Sequence, residues 1–134
     1  MALTLSIPAR DAMVDALVDL IDGGVADAGY GAGVGYMTIT DSGDTVLAEL
    51  AMSATAFGAA SSGTATAASI SDDASADATG TAAKCKFYDS DDTLIFEGTV
   101  TATGGGGNVE LVTTAITATQ TVSITSLTVT MPAS

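Results

Sequence analysis

The side chains best suited to chemistry in this chain are carboxylates grouped in predicted loops. One group is the stretch Asp89-Ser90-Asp91-Asp92, and a second combines Asp72 and Asp73 with Asp77. Carboxylate oxygens are ligands that Ca²⁺ takes, but neither stretch has the glycine and terminal glutamate of an EF-hand loop. Aspartate also forms turns through side-chain bonds to nearby N–H groups. We therefore interpret these residues as turn formers that face water, and we predict no metal-binding residue.

The sequence predicts that the protein is not an enzyme. It has no histidine, and its lone cysteine, Cys85, has no base to pair with, which excludes the usual triads and zinc sites. A pair of carboxylates could still cleave sugars, and the candidates by proximity are Asp89, Asp91, Asp92 and Glu97. Such a site also needs aromatic platforms, and the chain has only three tyrosines and three phenylalanines. We predict no catalytic residue and no cofactor.

The charge of the chain restricts its partners. Sixteen acidic residues against three basic ones give a formal net charge of −13. Such a surface repels phosphate backbones and anionic lipids, which predicts no nucleic-acid partner and no membrane partner. No apolar run approaches the roughly 20 residues of a membrane-spanning helix, and no signal peptide is visible, so we expect synthesis in a cytoplasm. Most apolar residues are small, which favours association that buries more surface.

A hairpin within residues 83–100 is the clearest structural element. Alternation places Cys85 and Phe87 on one face and Lys84 and Lys86 on the other. After the turn at 89–92, the inward residues are predicted to be Leu94, Phe96 and Val100. We expect Lys84 and Lys86 to pair with the protein's own aspartates or with those of a neighbouring subunit.

The N-terminal region predicts a short strand followed by a helix. Leu3, Leu5 and Ile7 alternate with polar residues, and Pro8 ends strand pairing. The helix then continues to Gly23-Gly24. Its aspartates form one stripe, and its apolar residues occupy more than half of the circumference, which suggests contact with a second subunit or partner. The alternative is that the glycine-rich loop at 25–35 covers the excess.

The remaining pattern predicts an all-β fold: an antiparallel β-sandwich, jelly-roll-like, with one N-terminal α-helix. A second hairpin joins 36–40 to 45–52, with Gly43 supplying a positive φ. Further strands are expected at 64–70, 109–112 and 121–131, the last with a β-bulge near Thr125-Ser126. Gly104 to Gly107 form a turn or flexible tip. We predict one domain, 1–134, with the strand and helix at about 3–23 and the sandwich at about 34–132.

Several stretches resemble a known group of proteins. These are ARDAMVDALVDLIDGG in the helix, the segment 56–60, SADATGTAAKCKFYDSDDTLIFEGTV at 75–100 and the ending VSITSLTVTMPAS. They resemble small Ala/Thr-rich virion proteins of tailed bacteriophages. The resemblance implies a structural component of the particle, of the capsid decoration (cement) type. It further implies a jelly-roll fold, a homo-oligomer with the trimer favoured, and a place on the outer capsid surface after synthesis in the host cytoplasm.

Our hypothesis is a decoration protein that binds the major capsid protein and stabilises capsomer contacts. The expected interface residues are Leu3, Leu5, Met13, Leu17, Leu20, Ile21, Lys84 and Lys86. One alternative is a tail, fibre or head–tail structural protein. Another is a carbohydrate-binding or adhesin β-sandwich module, which would present exposed aromatic residues beside acidic loops; Tyr30, Tyr36 and Tyr88 are the tyrosines available for that role.

Overall fold

The computed structural model describes residues 3–22, 35–52, 57–67, 70–89 and 92–132. This part of the chain is mostly β, with one N-terminal helix, as predicted. The helix is α1 (Ile7–Asp22), and the strands are β1 (Tyr36–Thr40), β2 (Val46–Ala51), β3 (Thr64–Thr66), β4 (Gly80–Thr81), β5 (Lys84–Tyr88), β6 (Leu94–Ala102), β7 (Val109–Leu111), β8 (Ala115–Ile116) and β9 (Ile124–Thr130). The predictions for Gly23-Gly24, Tyr30 and most of the 25–35 loop lie outside the described residues.

The helix begins earlier than predicted, and the expected first strand is wrong. Residues 3–6 belong to no strand, and α1 starts at Ile7, one residue before Pro8. Ser6 caps the helix, because its Oγ accepts the N–H of Ala9 at 3.3 Å and its carbonyl accepts that of Arg10 at 3.0 Å. A serine cap followed by proline in the first turn favours a helix over a strand whose only signal is three alternating apolar residues.

Seven strands form one sheet in the order β2-β1-β5-β6-β7-β9-β3, and β4 pairs with β8 separately. The expectation of purely antiparallel pairing is wrong at one place, because β6 and β7 are parallel. Every other strand pair in the described part of the chain is antiparallel. The two predicted hairpins are both present, as β1–β2 and β5–β6, and they lie side by side through β1 and β5.

The chain after β3 joins the two edges of this sheet. Ile70 bridges Met52 at the end of β2, and Asp73 bridges Val122 just before β9. The N–H of Asp77 then donates to the carbonyl of Leu47 in β2 at 2.8 Å. The N–H of Ala76 donates to the backbone carbonyl of Gln120, also at 2.8 Å. Segment 70–77 therefore bonds both to β2 and to the approach to β9, which leaves little of the β2 edge free to pair with another chain.

Four glycines allow the parallel β6–β7 pair to form with a connection of only 103–108. The chain turns back at Gly104 and Gly106, which have positive φ angles of 89° and 82°. It then runs close above β6, where the N–H of Gly107 donates to Thr101 Oγ1 at 3.0 Å. A Cβ on Gly105 would lie 2.7 Å from the Thr101 side chain. The glycine run is thus a tight return, which agrees with the turn that was one of the two predicted alternatives.

Bulges decide which residues of two strand pairs, β7–β9 and β5–β6, face the core. The register of β7 with β9 skips Thr125, which confirms the predicted bulge. The β5–β6 register skips Ile95 in the same way, so Leu94 is 46% exposed and its predicted core position is wrong. The positive φ of the 41–44 turn is carried by Asp44 at 68° and not by Gly43.

The core gathers one face of α1 and the inner face of the sheet. Its fully buried large side chains are Val14, Ile21, Met37, Ile39, Leu47, Leu50, Phe87, Val109, Ile116 and Leu127. Phe87 stacks on Phe96 with ring centroids 4.4 Å apart. Cys85 is also fully buried, and burial raises the pKa of its thiol to about 12, so it behaves as a small apolar residue.

Candidate functional site

The N-terminal segment and α1 expose large apolar side chains. Leu3 is 75% exposed, Ile7 50% and Met13 44%. Leu5, Leu17 and Leu20 are half-buried, and Leu17 packs against the core. Ile21 is fully buried, so its assignment to an interface is corrected: the helix turns this residue toward the sheet. We call Leu3, Ile7 and Met13 the exposed helix surface.

Two aspartates of α1 hold the helix to the rest of the domain. Asp11 Oδ1 accepts the N–H of Gly63 at 2.6 Å, and Asp15 Oδ1 accepts the N–H of Ala60 at 2.8 Å. These bonds tie α1 to the turn before β3, and charged acceptors make such bonds strong. The exposed helix surface therefore sits on a helix with a fixed position.

The two lysines predicted at the interface pair within the chain. The Nζ atoms of Lys84 and Lys86 each lie 3.1 Å from Asp44 Oδ1. Hydrogen bonds from Lys84 and then Lys86 lower the pKa of Asp44, and the bond to Asp44 raises the pKa of Lys86. Of the two partners predicted for these lysines, the structure places the protein's own aspartate beside them.

The loop aspartates accept backbone N–H groups, mostly of their own turns, and Asp73 also accepts the N–H of Glu49 in β2. Asp41 Oδ1 accepts the N–H groups of Gly43 and Thr45, each at 2.9 Å. Both oxygens of Asp73 accept backbone N–H groups at 2.9 Å, and Asp89 Oδ1 accepts that of Thr93 at 2.9 Å. In the described ranges, no three His, Cys, Asp or Glu side chains are placed to hold a metal ion. These bonds are those of turn-forming aspartates. The expectation that all of them face water is wrong for Asp89, which is buried.

A tyrosine pair lies on the outer face of the β1–β5 strand pair. Tyr36 and Tyr88 are directly opposite in the register, and their rings stack with centroids 4.9 Å apart and planes 14° apart. The Tyr36 hydroxyl donates to Asp92 Oδ1 at 2.8 Å. Burial, then the bond to Asp92, raises the pKa of Tyr36 to about 12, so the phenol stays protonated and the bond persists at neutral pH.

A groove of about 250 Å³ lies near the end of β7. Its lining includes Leu111, Val112 and Ile116 together with residues of the 120–123 segment. Val112 at this position is 79% exposed. The groove is small for a ligand site, since such pockets commonly measure about 300–1,000 Å³.

Comparison with family models, curated proteins and solved structures found no match to this chain. The arguments about function therefore rest on the geometry. No helix in the described part of the chain is long and apolar enough to cross a membrane. Leu3 and Met13, which the sequence predicted at an interface, are exposed, whereas Ile7 was predicted only as a strand residue. The tyrosine pair was not predicted. The available signal was that Tyr36 and Tyr88 both take outward positions on predicted strands.

Proposed function

We propose that this protein is a structural virion protein of a tailed phage, a capsid decoration protein that binds the outer shell. The observation that carries the proposal is the exposed helix surface, Leu3, Ile7 and Met13, on a chain with a net charge of −13. Leu3 precedes α1, and Ile7 and Met13 lie on it, so three large apolar side chains are exposed within the first 13 residues. Such exposure favours contact with another protein. The partner in this proposal is the major capsid protein.

The acidity of the chain supports a place outside the shell. A protein with this charge is repelled by DNA, and an outer-shell protein needs no contact with the packaged genome. Asp44 neutralises part of the charge of Lys84 and Lys86 within the chain, which leaves little positive charge for anionic partners. The contact with the shell would therefore be mainly apolar.

The helix anchoring also supports this role. Because Asp11 and Asp15 fix α1 to the 60–63 turn, the exposed side chains are presented in one arrangement. Binding then costs less ordering entropy than it would from a mobile segment. The proposal includes a trimer that repeats this modest contact, since multivalency raises the overall affinity. In the proposal the domain is a jelly-roll-like sandwich variant with one parallel strand pair, and it has no catalytic role.

The test is co-sedimentation of the purified protein with capsids that lack it. We expect binding at micromolar concentration. A Leu3→Ser/Met13→Ser double variant should bind at least ten times more weakly, because it loses exposed apolar contact area. Val112→Ser removes an apolar side chain elsewhere that is at least as exposed as Leu3 and Met13, and it should bind like the wild type. Absence of wild-type binding at micromolar concentration would contradict the proposal.

A further inference from the structure

On the outer face of the sheet, the stack of Tyr36 on Tyr88 holds the Tyr36 ring in a fixed orientation. The 4.9 Å separation of the Tyr36 and Tyr88 ring centroids matches the spacing of about 4.7–4.9 Å between neighbouring strands. Each ring therefore stands above its own strand, and the two stack across the strand pair. The second face of Tyr36 is directed toward β2, and the second face of Tyr88 is directed toward β6.

The two outward ring faces have different neighbours. Opposite Tyr36 on β2 is Ala51, which is exposed and has only a methyl group. Opposite Tyr88 on β6 is Leu94, a larger side chain that occupies the corresponding space. Among the described residues, a shelf is therefore left beside Tyr36, with the ring as its wall and Ala51 as its floor.

The carboxylate of Glu49 lies at the end of this shelf. Glu49 lies two residues before Ala51, on the same face of β2, and it is exposed. It is a diagonal neighbour of Tyr36, and such neighbours are about 7–8 Å apart. The Tyr36 ring is held by its stack on Tyr88 and by the 2.8 Å bond to Asp92, so it needs no reordering when a ligand arrives.

We propose that this shelf binds a neutral sugar ring, which stacks on Tyr36 above Ala51 while its hydroxyls donate hydrogen bonds to Glu49. A pyranose has an apolar C–H face that fits an aromatic wall and a polar rim that fits a carboxylate acceptor. Nucleotides and acidic sugars do not fit, because Glu49, Asp92 and the net charge of −13 repel anions. This activity is additional to shell binding and uses a different surface.

The experiment titrates the ¹⁵N-labelled protein with chitotriose, maltotriose, mannotriose and the anionic trigalacturonate, and follows amide shifts. We expect at least one neutral trisaccharide to bind with millimolar affinity and to shift residues 36, 49 and 51. Ala51→Leu should fill the shelf without altering Tyr36 and should weaken binding at least tenfold. Glu49→Gln, which keeps an acceptor oxygen but loses the charge, should weaken it less.

Ala102→Leu is the matched control, since Ala102 is an exposed strand alanine on β6. It should bind the sugar like the wild type, and the thermal melting of both leucine variants checks their folding. The proposal is overturned if none of the neutral trisaccharides shifts the shelf residues, if Ala51→Leu binds as well as the wild type, or if trigalacturonate binds as tightly. None of these outcomes depends on whether the protein binds capsids.

Discussion

Asp11 Oδ1 accepts a hydrogen bond from the backbone N–H of Gly63 at 2.6 Å, across 52 residues of sequence. The backbone at Gly63 also lies close to the Arg10 side chain of α1, because a Cβ on Gly63 would lie 2.9 Å from Arg10 Nη1. Asp15 makes the equivalent bond to Ala60 one turn further along α1. The aspartate stripe therefore positions the helix, which offsets the repulsion between like charges one turn apart.

Replacing Asp11 tests this anchoring. Asp11→Ala should lower the free energy of unfolding by about 1.5–3 kcal/mol, the range for a hydrogen bond to a charged group. Asp19→Ala is the control, since Asp19 is exposed on the same stripe, and it should change stability by no more than about 0.5 kcal/mol. Urea denaturation measures both variants. Equal effects of the two substitutions would mean that the bond to Gly63 does not anchor the helix.

Two threonines of β1 are buried without satisfying their hydroxyls. Thr38 is 5% exposed, and its Oγ1 has no hydrogen-bond partner among the described residues. An unbonded buried hydroxyl costs about 1–3 kcal/mol, so the isosteric change Thr38→Val should stabilise the protein by about 1 kcal/mol. In contrast, Thr103→Val should destabilise it, because Thr103 Oγ1 donates to the Leu111 carbonyl at 3.1 Å. Chemical denaturation measures both changes, and a loss of stability in Thr38→Val would contradict the account.

The Asp44 cluster predicts a specific pH dependence of stability. The folded-state pKa of Asp44 lies below its ordinary value of 3.8, so its contribution is present above that value and is lost as pH falls through the folded pKa. The pKa of Lys86 is raised above 10.5, so its contribution is present below that value and is lost as pH rises through the folded pKa. The Tm deficit of Asp44→Asn should be constant near neutral pH and should shrink at both extremes.

Salt gives a second measurement of the same cluster. The Asp44 carboxylate is exposed, so the Tm difference between wild type and Asp44→Asn should be small and should shrink further in 1 M salt, where the Debye length is about 3 Å. Asp72→Asn is the control, because it removes an exposed carboxylate that forms no ion pair in the described part of the chain. If Asp44→Asn showed an unchanged Tm deficit in 1 M salt, the ion pairs would not be its cause.

Gly35 is required where the chain enters β1. A Cβ at this position would collide with the carbonyl oxygen of Tyr88, and the N–H of Gly35 donates to the Ile21 carbonyl at 3.0 Å. Gly35→Ala should therefore destabilise the protein by about 1–3 kcal/mol, the usual cost of overpacking. Gly43→Ala is the control, because its nearest contact would be an ordinary 3.5 Å to Asp41 Oδ1. Thermal melting should separate the two variants; equal Tm values would contradict the close approach.

Local patterns predicted the elements that depend on neighbouring residues. Alternation located both hairpins, and the change of phase between Ile124 and Leu127 located the bulge at Thr125. A bulge that leaves the alternation of apolar and polar residues unchanged could not be predicted from the sequence. The extra residue at Ile95 is apolar like its neighbours, so no local pattern indicated that Leu94 would turn outward.

Features that depend on distant parts of the chain could not be predicted. The apolar arc of α1 indicated that some residues are exposed, but burial of Ile21 and exposure of Met13 depend on where the sheet lies. The aspartate stripe carried no information about the 60–63 turn that it binds. Likewise, the Tyr36–Tyr88 stack depends on the pairing of β1 with β5, which are separated by three intervening strands in the chain.

The central claim, that the protein decorates the outer capsid surface, is tested most directly by locating it on the particle. Virions of a tailed phage whose genome carries this gene would be labelled with gold-conjugated antibody against the protein and imaged by electron microscopy. The account predicts label distributed over the outside of the head at regular capsomer positions. Label confined to the tail or to the head–tail junction, or particles without label, would contradict it.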